Sequence, residues 1–169
     1  AALTGHLVLS TLHTNDAPTA VTRLLELGVA PYLLNSTING VMAQRLVRTL
    51  CPHCKRQVEL NRAEDVAAWD ALVAPWKANR PPSVFKPVGC LECRMTGYLG
   101  RVGIYETLLY SGAVKEQVSA GADIARIREI AFKEGMKPLR ISGAMKVGAG
   151  QTTIDEVLKV APPAREAAR

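Results

Sequence analysis

The four cysteines of this 169-residue chain form two pairs with the same spacing. Cys51 and Cys54 enclose Pro-His, and Cys90 and Cys93 enclose Leu-Glu. Two residues between thiolates let one tight turn present both sulfurs to one ion, and two such turns supply a tetrahedral sulfur shell, the usual structural zinc site. Because a closed shell of four thiolates leaves no open coordination position, the spacing predicts zinc with a structural role.

Other uses of paired cysteines fit this chain less well. Disulfides are rare in cytosolic proteins, and a thioredoxin-like redox pair needs only one motif in a βαβ setting. The interval between the pairs, residues 55–89, exceeds the usual zinc-ribbon interval and suggests an inserted helix near Trp69. His53 lies inside the first pair, where we expect a surface residue and not a fifth ligand.

A second group of polar residues follows an apolar stretch near the start of the chain. Residues 7–9, Leu-Val-Leu, are apolar without alternation, which predicts a short buried strand of a parallel sheet. Ligands of open α/β sheets bind beyond the carboxyl ends of strands, where Ser10, His13 and Asn15 would lie. A histidine at that place can hydrogen-bond a phosphate oxygen or a water, or it can be satisfied within a turn.

The elements that must position these residues follow from capping signals and apolar spacing. After the strand, Asn15 or Asp16 can cap a helix that ends at Gly28. A second helix is predicted after Pro31, with apolar residues three and four apart as far as Leu46. We further expect a helix over 66–73, a strand over 101–110, a helix from Asp123 to Gly135, a last helix with a capping box of Thr153 and Glu156, and a frayed tail from Pro162.

Composition limits the class of protein. Apolar residues make up 48% and charged residues 21% of the chain, which is globular composition. No apolar run approaches the ~20 residues that span a bilayer, and the start carries no signal-peptide pattern, so we expect a cytosolic chain. The net charge of +6 permits an acidic partner, but no run of five or six Lys/Arg occurs, which favours a solvated basic surface.

Four segments, in order along the chain, resemble the secretion traffic ATPases of the type II secretion protein E and type IV pilus assembly class. Residues 4–17, TGHLVLSTLHTNDA, resemble that family's His box, and residues 41–54 resemble its run into the tetracysteine motif. Residues 96–106 are similar to the segment after the second cysteine pair, and residues 135–158 resemble the closing helices. Residues 55–86 match no segment of the family.

The resemblance implies an α/β fragment of a RecA-like P-loop ATPase core in residues 1–50. It also implies a small four-cysteine zinc-binding subdomain in residues 51–110 and a mainly α-helical C-terminal subdomain in residues 111–169. In that family the histidine matching His13 lies near the nucleotide's γ-phosphate and supports hydrolysis, and His6 belongs to the same box. The four cysteines match the family's zinc ligands and favour the assembly or secretion branch over the retraction ATPases.

The family's activity implies cofactors and partners for the intact protein. It works as a homo-hexamer at the cytoplasmic face of the inner membrane, together with platform and assembly proteins, and converts ATP hydrolysis into extension of a pilus or pseudopilus. ATP and magnesium are expected only in the intact protein, because this chain has no Gly-Lys dipeptide for a Walker A loop and no apolar run before an Asp-Glu pair for Walker B. We therefore expect no ATP hydrolysis by this chain alone.

The alternative is a stand-alone zinc-ribbon module that binds nucleic acid or another anionic partner. Nucleic-acid ribbons often place basic and aromatic residues on the hairpins that carry the cysteines. Only Tyr98 is an aromatic residue close to a cysteine pair, so we expect no direct nucleic-acid binding. The basic residues near the pairs are Arg45, Arg48, Lys55, Arg56, Arg94 and Arg101.

Overall fold

The computed structural model describes residues 1–76, 78–118 and 122–161. The described chain begins with a short 3-10 turn, Ala2–Thr4, and mixes α and β elements, as expected. The tail from residue 162, expected to be frayed, lies outside the described residues. The helices are α1 Ala17–Glu26, α2 Pro31–Thr37, α3 Ala63–Val73, α4 Gly112–Gln117, α5 Ile124–Lys133, α6 Leu139–Gly148 and α7 Ile154–Val160, and the strands are β1 Gly40–Leu50, β2 Arg56–Glu59, β3 Ser83–Lys86 and β4 Tyr98–Leu109.

The chain divides into two compact units, each made of two stretches of sequence. We call residues 1–43 and 106–137 the first unit, and residues 44–105 together with 138–169 the tetracysteine unit. Strands β1 and β4 pair in one two-stranded sheet, and β2 and β3 pair in another. In the part of the chain that the structure describes, no helix is long and apolar enough to cross a membrane.

The first unit is organised around α1 and α5. Asp16 caps α1 as predicted, because its carboxylate accepts a hydrogen bond from the Thr19 N–H at 2.9 Å. A second carboxylate, that of the buried Glu106, accepts the Ala17 N–H at 2.9 Å, so two of the free donors at the helix start are satisfied. Asp123 caps α5, as the sequence predicted, and Ile127 of that helix is fully buried in this unit's core.

The tetracysteine unit has a core formed by the α3 helix of the insert and the last two helices. Trp69 and Leu72 of α3 are buried with Val147 of α6 and Val157 of α7. The predicted helix over 66–73 is thus confirmed as the larger part of α3. The predicted N-cap of α7 is also confirmed, because the Thr153 side chain accepts a hydrogen bond from the Glu156 N–H.

One predicted element is wrong in the structure, and another is shorter than predicted. Residues 7–9 form no strand, and Leu7 and Leu9 are 79% and 89% exposed. A strand needs neighbours for its backbone N–H and C=O groups, and the described residues supply none beside this segment. The apolar pattern of residues 7–9 carries no information about whether a neighbouring strand is present.

The second predicted helix is shorter than expected, because α2 ends at Thr37 and the strand β1 begins at Gly40. The predicted inner residues Met42 and Leu46 are 63% and 49% exposed, whereas Ala43 and Val47 are buried. Pairing with β4 satisfies the backbone of this segment as a strand. The apolar spacing of three and four was therefore coincidental from Val41 onward.

Candidate metal centre

The two cysteine pairs lie in turns that connect the two small sheets. Residues 51–54 join β1 to β2, and residues 90–93 lie between β3 and β4. The antiparallel pairing of β2 with β3 places Arg56 opposite Lys86. The two ends of the insert that separates the cysteine pairs therefore lie side by side. We call the turn at 51–54 the first knuckle and the segment 90–97 the second knuckle.

The four sulfurs converge on one point. All four Sγ atoms lie within 4.8 Å of one another. Sγ of Cys51 is 3.8 Å from Sγ of Cys90, and Sγ of Cys54 is 3.9 Å from Sγ of Cys93. A tetrahedron with metal–sulfur bonds of about 2.3 Å requires sulfur–sulfur distances of about 3.8 Å. The cluster therefore has the size and the donor set to hold a metal ion such as zinc.

Backbone N–H groups point at the sulfurs of the cluster. Gly89 N–H donates to Sγ of Cys54 at 3.3 Å, and the N–H groups of Cys90 and Gly97 donate to Sγ of Cys93 at 3.2 and 3.1 Å. Such donors stabilise the thiolate form, which is the form that binds metal. The backbone N–H dipoles at this site therefore stabilise anionic sulfur, which is the form that would bind a cation.

These contacts shift the acidity of the thiols in opposite directions. Burial raises the pKa of Cys93, but the N–H groups of Cys90 and Gly97 and the neighbouring thiols outweigh burial and lower that pKa to about 6. For Cys90, a backbone hydrogen bond with Cys93 lowers the pKa, but desolvation and the other thiols together raise it. The backbone N–H groups of Cys90 and Gly97 therefore favour the thiolate form of Cys93.

Next to the first knuckle, Arg48 of β1 forms an ion pair with Glu156 of α7. Arg48 Nε and Nη2 donate to the two Glu156 carboxylate oxygens at 2.9 and 2.6 Å. The guanidinium also lies over the Tyr98 ring, 4.1 Å from its centroid, and the Tyr98 hydroxyl lies 3.1 Å from Oγ1 of Thr153. The hydrogen bonds from Arg48 lower the pKa of Glu156 to about 2, although burial acts against them.

The sequence pattern predicted the cysteine cluster but not the ion pair of Arg48 with Glu156. The capping box predicted that the side chain of Glu156 would reach back to the N-cap residue, and the structure directs it to Arg48 instead. Among the six basic residues near the cysteine pairs, Arg48 and Lys55 bond to residues distant in the sequence, the latter by donating to the Gly150 carbonyl at 2.9 Å. Arg45 donates locally, to the Gln44 carbonyl at 2.9 Å. No local sequence signal distinguishes Arg48 and Lys55 from the remaining basic residues.

The two histidines predicted for a nucleotide site lie away from the cysteine cluster in the sequence, in a segment without regular secondary structure. His6 and His13 are both exposed. His6 Nδ1 lies 3.1 Å from Oγ1 of Thr4. The structure brings the four cysteines together. Among the residues that the structure describes, neither histidine lies against a partner that would define its role.

Comparison with known proteins identifies a family-level similarity over nearly the whole chain. A family model described as type II/IV secretion system protein matches residues 1–159. The matched range includes residues 55–86, so the expectation that this segment has no counterpart in the family is wrong. The chain is 49% identical over 162 residues to the type IV pilus assembly ATPase TfpB of Acinetobacter baylyi, which is 96% of the chain and 27% of that protein.

Two further relatives come from both kinds of machine. The chain is 46% identical to the type IV pilus assembly ATPase PilB of Myxococcus xanthus over 98% of the chain and 29% of that protein. It is 45% identical to the type II secretion system protein E of Aeromonas hydrophila over 95% of the chain and 30% of that protein. The chain thus spans less than a third of the length of these curated relatives.

Proposed function

The chain belongs to the type II/IV secretion system protein family, and from this premise we propose that it is the C-terminal part of a hexameric ATPase that powers type IV pilus assembly or type II protein secretion. The observation that carries the proposal is the match of residues 1–159 to the family, with relatives named as ATPases of pilus assembly. In the intact protein we place the machine at the cytoplasmic face of the inner membrane, in contact with platform and assembly proteins.

Within this proposal the chain has three functional segments. In sequence order, residues 1–50 end a RecA-like ATPase core, residues 51–110 carry the zinc-binding subdomain, and residues 111–169 are the mainly helical closing part. Helices α4 and α5 of that part lie in the first unit, whereas α6 and α7 lie in the tetracysteine unit. His13, with His6 in a secondary role, senses the nucleotide when the rest of the core is present. ATP and magnesium bind to the intact protein only, since the phosphate-binding loop is not part of this sequence.

The histidine role is tested in the intact protein that contains this chain. We expect His13→Ala to reduce ATP turnover while the far-UV circular dichroism spectrum and the oligomeric state stay unchanged. His53→Ala is the matched control, because His53 is also an exposed histidine but lies in the first knuckle. Equal turnover for His13→Ala and His53→Ala would refute the sensor role.

The activity of the chain alone is a separate test. We expect residues 1–169 to show no magnesium-dependent ATP turnover, because they lack a loop to hold the phosphates and an acidic segment to hold the metal. Turnover that survives repeated purification and is lost in His13→Ala would contradict the proposal. Turnover that persists in His13→Ala would indicate a contaminating enzyme.

For the cysteine cluster we propose a structural zinc site with Cys51, Cys54, Cys90 and Cys93 as its ligands. Zinc held there would supply a cross-link between two turns that lie far apart in the sequence, with no position open for a substrate. The convergence of the four sulfurs within 4.8 Å supports this assignment. The cross-link either only stabilises the unit or also shapes a surface for a partner protein.

Native mass spectrometry of the reduced chain tests the zinc site. We expect one zinc per chain, and loss of the metal in Cys51→Ser, whereas His53→Ala retains it. Substitution with cobalt should produce the thiolate charge-transfer absorption of a tetrahedral sulfur site. A metal-free chain that retains its folded charge states would contradict the assignment.

The alternative, a module for nucleic acid or another anionic partner, makes a different prediction. Its affinity for a DNA or RNA oligonucleotide would fall steeply with salt, because Lys and Arg would displace counterions from phosphates. We expect no such affinity. Two of the basic residues near the knuckles, Arg48 and Lys55, already bond within the unit.

A further inference from the structure

The two knuckles are stabilised in different ways. In the second knuckle, the bonds come from its own backbone. Cys90 N–H and Gly97 N–H donate to Sγ of Cys93, Met95 N–H donates to the Cys90 carbonyl at 2.8 Å, and Thr96 N–H donates to the Cys93 carbonyl at 3.1 Å. The second knuckle therefore holds its sulfurs with contacts that lie within its own short stretch of sequence.

The first knuckle depends on other parts of the chain. Its own backbone bonds lead to the Cys51 carbonyl, where Lys55 N–H donates at 3.0 Å, and not to a sulfur. At its start, Leu50 N–H donates to the Gln151 carbonyl at 2.8 Å, and Cys51 N–H donates to the Gly97 carbonyl at 2.9 Å. The end of strand β1 is therefore hydrogen-bonded to a segment around Gln151, which comes much later in the chain.

That segment, residues 149–153 between α6 and α7, contacts both sides of the first knuckle, and we call it the α6–α7 turn. Before the knuckle, the fully buried Thr152 donates its hydroxyl to the Arg48 carbonyl at 2.8 Å. After the knuckle, Lys55 Nζ donates to the Gly150 carbonyl at 2.9 Å and lies 4.6 Å from the centroid of the Phe85 ring.

The turn also packs closely against Phe85. Gly150 has φ of +66°, and a Cβ built on it would lie 2.6 Å from the Phe85 ring. Phe85 belongs to β3, which leads toward the second knuckle. One turn thus contacts the strand before the first knuckle, the residue after it and the strand that precedes the second knuckle.

From this asymmetry we propose that the α6–α7 turn is a positioning element of the metal site, with Lys55 and Thr152 as positioning residues that hold the first knuckle in coordinating geometry. The inference rests on the proposed zinc site and adds residues outside the ligand set. Groups that orient metal ligands commonly change metal affinity by about 10- to 100-fold when they are removed. Retention of zinc should therefore depend on side chains that touch neither the metal nor a sulfur.

The test uses the full 169-residue chain loaded with zinc. Lys55→Met keeps the aliphatic chain over the ring but removes the donor, and Thr152→Val keeps the shape but removes the hydroxyl. Lys55→Arg keeps a donor and serves as the conservative rescue. Lys86→Met is the matched control, because Lys86 lies in the same unit and pairs with Asp65 at 3.0 Å, away from the α6–α7 turn in sequence.

Two readouts separate positioning from general stability. The first is the rate of zinc release to an excess of a chromogenic chelator, which we expect to rise about 10-fold in Lys55→Met and Thr152→Val. Lys55→Arg should stay within about two-fold of the unmodified chain because it keeps a donor for the Gly150 carbonyl. Lys86→Met should do the same because the partly exposed Lys86–Asp65 pair contributes little. The second is amide hydrogen exchange, which should accelerate at residues 51–56 and stay unchanged at 90–97.

Each outcome decides the proposal. It is overturned if Lys55→Met and Thr152→Val release zinc as slowly as Lys86→Met, or if residues 51–56 and 90–97 accelerate equally, which would indicate general loosening. If the unmodified chain carries no zinc, the metal assignment of the proposed function fails. The hydrogen-exchange comparison then still decides whether the α6–α7 turn positions the first knuckle.

Discussion

Replacing Glu156 by glutamine should weaken the attachment of α7 to β1. The Glu156 side chain is only 7% exposed, and both of its oxygens accept hydrogen bonds from Arg48. Glutamine has nearly the same shape but lacks the charge, so Glu156→Gln tests the electrostatic part of this contact. Lys159 donates to the same carboxylate at 3.1 Å and stays in place in the variant.

The expected magnitude follows from the pKa of the carboxyl group. Hydrogen bonds, chiefly from Arg48 and opposed by burial, lower the pKa of Glu156 from 4.5 to about 2, and each unit corresponds to about 1.4 kcal/mol, so the net shift corresponds to about 3 kcal/mol. Because the Arg48 side chain is 46% exposed, solvent screening reduces the interaction. We expect a coupling free energy of about 1–2 kcal/mol at neutral pH.

A double-mutant cycle with Glu156→Gln and Arg48→Met measures that coupling. Urea unfolding is followed by tryptophan fluorescence, since both tryptophans, Trp69 and Trp76, belong to the tetracysteine unit. Urea is preferred to a denaturing salt because ions screen the pair. The cycle reports the free energy of unfolding of the unit that contains the ion pair.

The exposed pair Arg62–Glu64 provides the control cycle in the same unit. Its atoms lie 3.8 Å apart and its side chains are 73% and 76% exposed, so we expect a coupling of less than about 0.5 kcal/mol. If the coupling of Arg48 with Glu156 is as small as that of the control pair, the reasoning from burial and bidentate geometry is refuted.

Three further outcomes are expected. The Glu156 carboxyl has a depressed pKa, so its stabilisation is complete above about pH 4.5 and is lost as the pH falls toward about 2. The difference in unfolding free energy between Glu156→Gln and the unmodified chain should therefore shrink as the pH falls below about 4.5, and a constant difference would contradict this. Gly143→Ala should lower the free energy of unfolding by about 1–3 kcal/mol, because the new Cβ would lie 2.3 Å from Val157. Gly148→Ala in the same helix meets open space and should stabilise the protein by up to about 1 kcal/mol. Thermal unfolding measures both effects, and similar shifts for the two variants would argue against the close α6–α7 contact. Chelation of zinc under reducing conditions should red-shift the fluorescence of the buried Trp69, and an unchanged spectrum would argue against a structural metal.

Elements with local signals were predictable from sequence. Asp16 and Asp123 lie immediately before helices and accept N–H groups of the first turn, which is a contact within three residues. The cysteine spacing is likewise local within each pair, and the convergence of the two pairs follows from shared chemistry. Such features need no knowledge of the rest of the fold.

Elements whose partners lie far away were not predictable. The choice between helix and strand for residues 40–46 depends on β4, which begins only at Tyr98. The contact of Glu156 with Arg48 joins residues 108 apart, and the bond of Lys55 to Gly150 joins residues 95 apart. Apolar periodicity carries no information about such pairs, since it describes one element at a time.

The long sequence separation within the metal site has a consequence for the chain during its synthesis. The first knuckle is complete at Cys54, but the second pair of sulfurs ends at Cys93, and the turn that holds the first knuckle ends at Thr153. At about 5–20 residues per second, roughly 100 residues take about 5–20 s to translate. Cys51 and Cys54 lack their partner thiols until Cys93 is made, and the first knuckle lacks its contacts with the α6–α7 turn until Thr153 is made. A nascent chain is therefore most vulnerable to oxidants and to competing soft metals before these segments have emerged from the ribosome.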